Sequence, residues 1–363
     1  MSEWKEGRLS APPGSMNIGF LYYNFYPVQG GASVHGFHLA KELTQLGHKL
    51  YKLNGQADPF TEKLQQSPAG LMKMVRDSDL FYVRVDYFLN ARNLAGLAAK
   101  IAGKKIVVEL NSPSDELALR GRSESFVRMI DRAYSRLLKR ASATITVSEP
   151  IKRYCQSELE LENVHVVENG GEVFKPPTQE MIESSETVQR FQEIRDQADK
   201  VVVWAGSANK MQNFQLVKEV ANRLDENAKL VLIVNEEPGT SIPEEFAEGA
   251  VILKNANRKE VGAIIAQSDV GIALYDEYPW SRWGFYNSSL KIYEFLNNGL
   301  LTVSNVPGSP IQTKYSNFSY IPDADLMAES INRFQPEDFT PENPRTWETV
   351  AKEVSTILKN VRR

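Results

Sequence analysis

Residues 284–306 read GFYNSSLKIYEFLNNGLLTVSNV. Asn287, Ser288 and Ser289 are each good helix N-caps, because a short side-chain oxygen can accept a free first-turn amide. Leu290, Tyr293 and Leu296 then recur at helical spacing, with Ile292 and Phe295 widening the apolar face. Asn297-Asn298-Gly299 stops the helix, since both residue types tolerate the left-handed cap. Residues 300–304 follow as a buried strand, and loop, helix and strand in that order are a piece of a doubly wound sheet. Lys291 and Glu294 lie three residues apart on one side of this helix, near its positive end. There the free amides, the dipole and an ammonium can converge on a phosphate. A carboxylate one turn on can accept two hydroxyl protons, as a ribose offers. The same two residues also read as a solvated ion pair worth about 0.2–0.5 kcal/mol. The stretch by itself leaves both readings open.

The pattern continues on either side. Residues 201–204 run as a strand into Ala205-Gly206-Ser207, and a helix begins near Asn213. Further strands are predicted over 229–234, 251–254 and 270–274, with a helix over 258–266 between the last two. In the first half, a strand over 16–22 meets a loop ending in Gly30-Gly31. Val34, Phe37, Ala40, Leu43 and Leu46 mark the helix that follows, Gly47 closes it, and 48–53 is the next strand. Strands over 80–85, 105–110, 144–147 and 164–167 complete the series. The fold class is therefore α/β, with two doubly wound parallel sheets. The linker is expected at 174–177, around Pro176-Pro177. This gives a loose leader over 1–15, domains over 16–174 and 178–340, and a C-terminal segment over 341–363. Trp347, Val350, Ala351, Val354, Ile357 and Leu358 make that last segment an amphipathic helix, able to pack on the second domain or cross back to the first.

Ligands of open parallel sheets bind at the carboxyl ends of the strands, which makes Arg84, Glu109, Asn111 and Ser148 candidates. Gly30 and Gly31 either let the backbone approach a ligand closely or form a plain tight turn. They do not make a GxGxxG fingerprint, and the second strand ends in Lys52-Leu53-Asn54 with no acidic residue for a ribose. Both points weigh against a nicotinamide-dependent oxidoreductase. His35 and His38 lack a third ligand at metal spacing and read as packing or surface residues.

The 363 residues are 42% hydrophobic and 24% charged, enough for two cores. A formal net charge of −4 argues against a general nucleic-acid binder. The single cysteine, Cys155, excludes an internal disulfide and fits a reducing, cytoplasmic setting. No apolar run approaches the ~20 residues of a spanning helix, and the leader lacks the apolar centre of a signal peptide. A helix over 124–140 carries Arg128, Arg132, Arg136 and Arg140 at every fourth position. Met129, Ile130, Tyr134, Leu137 and Leu138 are expected on its buried side. The arginine stripe reads as a solvated face or as a contact with an anionic membrane, where each basic residue contributes about 1 kcal/mol.

Several pieces occur together in order: GGASVHGFHLAKELTQLGHKL over 30–50, ITVSEPIK over 145–152, VVENGGEVFKP over 166–176, VVWAGSANKMQNF within 201–214, SDVGIAL over 268–274, SSLKIYEFLNNGLLTVSN over 288–305, and the Trp-led final helix. On these the chain resembles the retaining glycosyltransferases of the GT-B fold, specifically glycosyltransferase family 4, over almost its whole length after residue 16. The resemblance implies two Rossmann-like domains facing a cleft, with the C-terminal helix crossing back. It implies that the second domain takes a nucleotide-diphosphate sugar, with Lys291 on the diphosphate and Glu294 on the ribose. Gly206 and Ser207 would approach the phosphates with Lys210 nearby. Asn255 would lie near the base, and Ser288 and Ser289 would open the clamp helix. The first domain would hold a saccharide or lipid-linked saccharide acceptor, with Gly30, Gly31, Arg84 and Glu109 on the donor and acceptor side. Asn111 stands where the family often has histidine, and Asn111 and Lys291 would act at the reacting groups. Retention would need no protein nucleophile, no metal and no other cofactor, only positioning and neutralisation of the leaving diphosphate. The expected protein is a hexosyltransferase of surface polysaccharide or glycan synthesis, cytoplasmic or peripheral at the inner face of the membrane. Tyr286, Ser207 and Gln212 stand where the family often has a glutamate, a basic residue and a lysine. The alternative is a catalytically inactive GT-B subunit that holds a nucleotide or a partner.

Overall fold

The alternating strands and helices form two all-parallel sheets in a computed structural model, which describes residues 14–22, 25–28, 30–87, 90–235, 242, 250–279, 281–335 and 343–363. The chain divides into two units. The first takes Met1–Glu168, Trp280–Ser288 and Trp347–Arg363, and the second Asn169–Pro279 and Ser289–Thr346.

In the first unit the elements are β1 (Asn17–Leu21), α1 (Gly31–Gln45), β2 (Lys49–Lys52), β3 (Thr61–Lys63), α2 (Pro68–Asp77), β4 (Leu80–Arg84), α3 (Ala91–Ile101), β5 (Lys105–Leu110), a 3₁₀ turn (Ser114–Arg120), α4 (Glu124–Leu138), β6 (Ala143–Thr146), α5 (Glu149–Ser157) and β7 (Val164–Val166). Strand order among the described residues is β3-β2-β1-β4-β5-β6-β7. β1, β4 and β5 are buried along nearly their whole length, as strands covered by helices on both faces must be. Phe20 stacks on Tyr22 at 5.2 Å and on Tyr82 at 5.6 Å between ring centroids.

The second unit holds α6 (Gln179–Ser184), α7 (Glu186–Gln197), β8 (Lys200–Ser207), α8 (Phe214–Ala221), β9 (Ala228–Asn235), β10 (Ala250–Lys254), α9 (Arg258–Ile265), β11 (Val270–Ala273), α10 (Leu290–Asn297), β12 (Leu301–Ser304), β13 (Phe318–Tyr320) and α11 (Ala324–Arg333). Its order is β10-β9-β8-β11-β12-β13. The order in which strands are added reverses once in each sheet, between β1 and β4 and between β8 and β11. Such switch points are where doubly wound sheets bind ligands. The final helix, α12 (Trp347–Arg362), belongs to the first unit and packs on α1. There Trp347 meets His35 at 5.2 Å and stacks on His38 at 5.5 Å.

Several boundaries differ from the expectation. The division falls between Glu168 and Asn169, ahead of the prolines. Residues 171–174 are built into the second unit: Glu172 pairs with Arg258, and the Phe174 amide donates to Asn298 Oδ1 at 2.7 Å. Residues 281–288, expected inside the second domain, belong to the first because Arg282 is anchored there. Its Nε and Nη2 reach Asp115 at 2.8 and 3.0 Å, and Nη2 also reaches Asp131 at 3.1 Å. Asp131 in turn accepts from Tyr154 at 2.7 Å. This buried carboxylate turns α4 so that Val127, Asp131, Tyr134 and Leu138 face inward. Met129 and Leu137, expected inside, are 53% and 47% exposed. The edge strands β3 and β13 have three residues each, too few for a periodicity to register. The leader over 1–15 lies, apart from residues 14 and 15, outside the described residues. Cys155 is fully buried, which pushes its thiol up to about 12. Among the described residues no helix is long and apolar enough to cross a membrane.

Candidate functional site

In the second unit, β8 ends in Gly206 and Ser207 at the switch point, and the loop beyond it turns back alongside residues 274–276. Asn213 N–H donates to Leu274 O at 3.2 Å, Asp276 N–H to Met211 O at 3.1 Å, and Gln212 bridges to Tyr275. Asn305 fixes Tyr275 from the other side, accepting from its amide at 2.8 Å and donating to its carbonyl at 2.7 Å. These bonds build a small frame, and Lys291, in the first turn of α10, enters it. Its Nζ donates to Gln212 Oε1 at 2.9 Å and lies 4.0 Å from the Trp204 ring centroid and 5.6 Å from that of Tyr275. Gly206 leaves room beside the ammonium, since a Cβ there would stand 3.2 Å from Lys291 Nζ. Trp204 is fully buried, and its Nε1 finds no hydrogen-bond partner among the described residues. Burial pushes the Lys291 ammonium down to about 7, against the nearby Glu294 charge that would raise it.

Ser289 caps α10 without a side-chain bond to the first turn, and its hydroxyl pairs instead with the Tyr275 hydroxyl. Ser288 is buried and falls in the first unit. Glu294 is 4% exposed and does not pair with Lys291. Arg258 grips it at two points, with Nη1 donating to Oε2 at 3.1 Å and Nη2 to Oε1. The solvated-pair reading of Lys291 and Glu294 therefore fails, since each has a separate, half-buried partner. Asn255 ends β10 in the left-handed conformation at φ 57°, which asparagine tolerates better than most residues. Lys210 is exposed in the loop after β8.

In the first unit the switch point is filled differently. Glu109 is fully buried at the end of β5. It accepts from Tyr22 at 3.3 Å, from Arg84 Nη1 at 3.1 Å and from the Tyr82 hydroxyl, with His35 Nε2 at 3.5 Å. Burial by itself would raise its carboxyl; the His35 imidazole and the Arg84 guanidinium outweigh that and hold it at about 2. Of the two residues expected on the ligand side, Glu109 spends its oxygens on this network, and Arg84 is one of its donors. His35 is no bystander either, since it is buried against Glu109 and Trp347. Gly30 turns into α1 at φ 76°, a conformation that a side chain would strain, and Gly31 begins the helix. Asn111 follows β5, and its Oδ1 is buried with no hydrogen-bond partner among the described residues. Ser148 donates to the Tyr286 carbonyl at 2.6 Å, within the same unit.

No family model matches the sequence, and no curated protein matches it. The structure is similar to HepE of Anabaena solved with UDP-glucose, at 15% identity over 95% of this chain and 96% of that one, with a TM-score of 0.57. It is also similar to a glycosyltransferase from Rickettsia africae, at 14% identity over 96% and 93% with a TM-score of 0.59. A trehalose-phosphate synthase from Burkholderia vietnamiensis matches at 12% identity over 96% and 98%, with a TM-score of 0.56. The fold is GT-B.

Within this GT-B chain, sequence reasoning missed Trp204, Tyr275, Arg258 and Glu172, which surround the clamp. Arg258 did leave a signal. It opens α9 inside a capping box of Asn257 and Glu260, where the helix dipole disfavours a cation. A cation in that place needs carboxylates from elsewhere in the fold.

Proposed function

We propose that this protein transfers a hexose from a nucleoside-diphosphate sugar to a saccharide or lipid-linked saccharide, with retention of configuration and without a metal. The observation that carries the reading is the Lys291 ammonium. It is held over Trp204 beside Gly206 at a switch point, with a neutral amide as its hydrogen-bond partner. A cation so poorly compensated suits an incoming diphosphate, which would bond to Lys291 and to the amides around Gly206 and Ser207. Glu294 would accept the ribose hydroxyls, and Asn255 would border the base. In the transfer, the bond from the sugar C1 to the diphosphate oxygen breaks. The acceptor oxygen bonds to C1 on the same face, and its proton passes to the departing phosphate. Lys291 offsets the charge that develops there. Asn111 Oδ1, an acceptor without a partner among the described residues, would orient the acceptor hydroxyl.

Calorimetric titration with UDP-glucose, UDP, GDP and ADP, followed by detection of released or transferred sugar, tests this. Binding of a nucleoside diphosphate with sugar transfer is expected. Binding without any transfer or donor hydrolysis favours the inactive-subunit reading, and no binding removes the donor site.

A membrane contact is favoured by a separate observation. Met129 and Leu137 are exposed on α4 among Arg128, Arg132 and Arg136, with Arg140 in the turn that follows, which combines apolar anchors with basic charge. Salt-sensitive sedimentation with anionic vesicles is expected, and neutralising three of these arginines should abolish it. Sedimentation unchanged by salt or by the substitutions would leave the stripe a solvated face.

A further inference from the structure

Arg258 is held more tightly than a helix start requires. The first-turn amides of α9 are already met by Asn257, whose side chain accepts from Lys259 and Glu260 at 3.0 and 3.2 Å. The guanidinium instead lies 5.0 Å over the Phe174 ring. Its Nε and Nη2 donate to Glu172 Oε2 at 2.9 and 2.6 Å, and its two terminal nitrogens reach the two oxygens of Glu294. Phe174 is itself fixed, by its bond to Asn298 and by contact with Gly262, where a Cβ would stand 2.4 Å from the ring. Aromatic face, Glu172 and Glu294 together leave the guanidinium one position.

We infer that Arg258 is a positioning residue for ribose recognition: its two-point grip orients Glu294 so that each carboxylate oxygen keeps a lone pair for one hydroxyl of a ribonucleotide. This rests on the donor reading of the site. An ionised carboxylate has about four lone-pair directions over two oxygens. Arg258 takes one on each oxygen, and among the described residues no other side-chain or backbone donor reaches the Glu294 carboxylate. Two directions remain, one per oxygen, and a vicinal diol presents two donors at about that spacing. The charges agree. One guanidinium faces two carboxylates, so the cluster keeps a net negative charge, which suits hydroxyl donors and repels phosphate. The phosphate is left to Lys291, on the preceding turn. A lysine at 258 would supply the charge but not the fork, because an ammonium is a point charge with no planar pair of donors.

The test compares UDP, GDP and ADP with their 2′-deoxy forms, and with the matching monophosphates, on wild type, Arg258→Lys and Arg258→Met. Wild type is expected to prefer the ribonucleotide by about tenfold or more, the size of one hydrogen bond to a charged group. Both variants should bring that preference to within about threefold while the ratio of diphosphate to monophosphate affinity stays at its wild-type value. If Arg258→Met fails to fold, Arg258→Lys decides. A folded variant that keeps the wild-type preference for ribose would make Arg258 a plain staple between α9 and α10 and overturn the inference alone. Absence of nucleotide binding by the wild type would overturn the donor reading and this inference with it.

Discussion

At the switch point of the first sheet, Glu109 is closed in by Tyr22, Tyr82, Arg84 and His35. At that of the second, Lys291 lies over Trp204 with the neutral Gln212 to bond. Both are charged groups at the carboxyl ends of buried parallel strands. The first is compensated within the protein, and its partners lower its pKa against a burial that would raise it. The second is undercompensated, and burial disfavours its charge. A buried charge with a full set of partners holds a fold together; one lacking them is a place where a ligand completes the set. The same topology can therefore carry a structural core in one sheet and a binding site in the other.

Glu109→Gln should break the first case with the largest effect. It leaves Arg84, 12% exposed, without its carboxylate, and removing one partner of a largely desolvated pair typically costs about 3–5 kcal/mol, read from the urea midpoint. The group's pH dependence has a definite sign. Its folded pKa of about 2 lies below the carboxyl's ordinary 4.5. The stabilisation is therefore present above about 4.5 and is lost as pH falls towards 2. A Glu109→Gln protein as stable as wild type would remove the contrast. Lys291→Met should do the opposite, with a much smaller effect on stability, because it deletes a poorly compensated charge and keeps the side-chain volume. Its folded pKa of about 7 lies below the ammonium's ordinary 10.5, so the unfolded chain binds more protons between those values. Wild-type stability should therefore rise with pH across that window, and the rise should be absent in Lys291→Met. A large loss of stability on this substitution would make Lys291 a structural residue like Glu109.

Much of this was legible in the sequence, and the limits have physical causes. The strands stood out as continuous apolar runs because both sheet faces are covered. Gly206, Lys291 and Glu294 stood out because turn chemistry and helix starts are local. What surrounds them is not local: Gln212 lies 79 residues from Lys291, and Glu172 lies 86 from Arg258. The turn of α4 was misjudged for the same reason. Asp131 looks like a surface residue until Arg282, 151 residues away, draws it inward. The segment 281–288 has no periodicity that would assign it to either sheet, and its placement rests on Arg282 and on the Ser148 bond to Tyr286.

The most direct test is the pH dependence of UDP affinity, measured by calorimetry from about pH 6 to 9 in wild type and Lys291→Met. The terminal phosphate of UDP titrates near pH 6 with either protein, so the ratio of the two affinities isolates the lysine. Wild type should bind more tightly at pH 6 by about tenfold or more, the size of a charge-assisted hydrogen bond. That advantage should fall as pH rises through about 7, by up to about tenfold per unit. Equal affinities at pH 6, or parallel profiles over the whole range, would show that the diphosphate does not sit on Lys291 and would contradict the account.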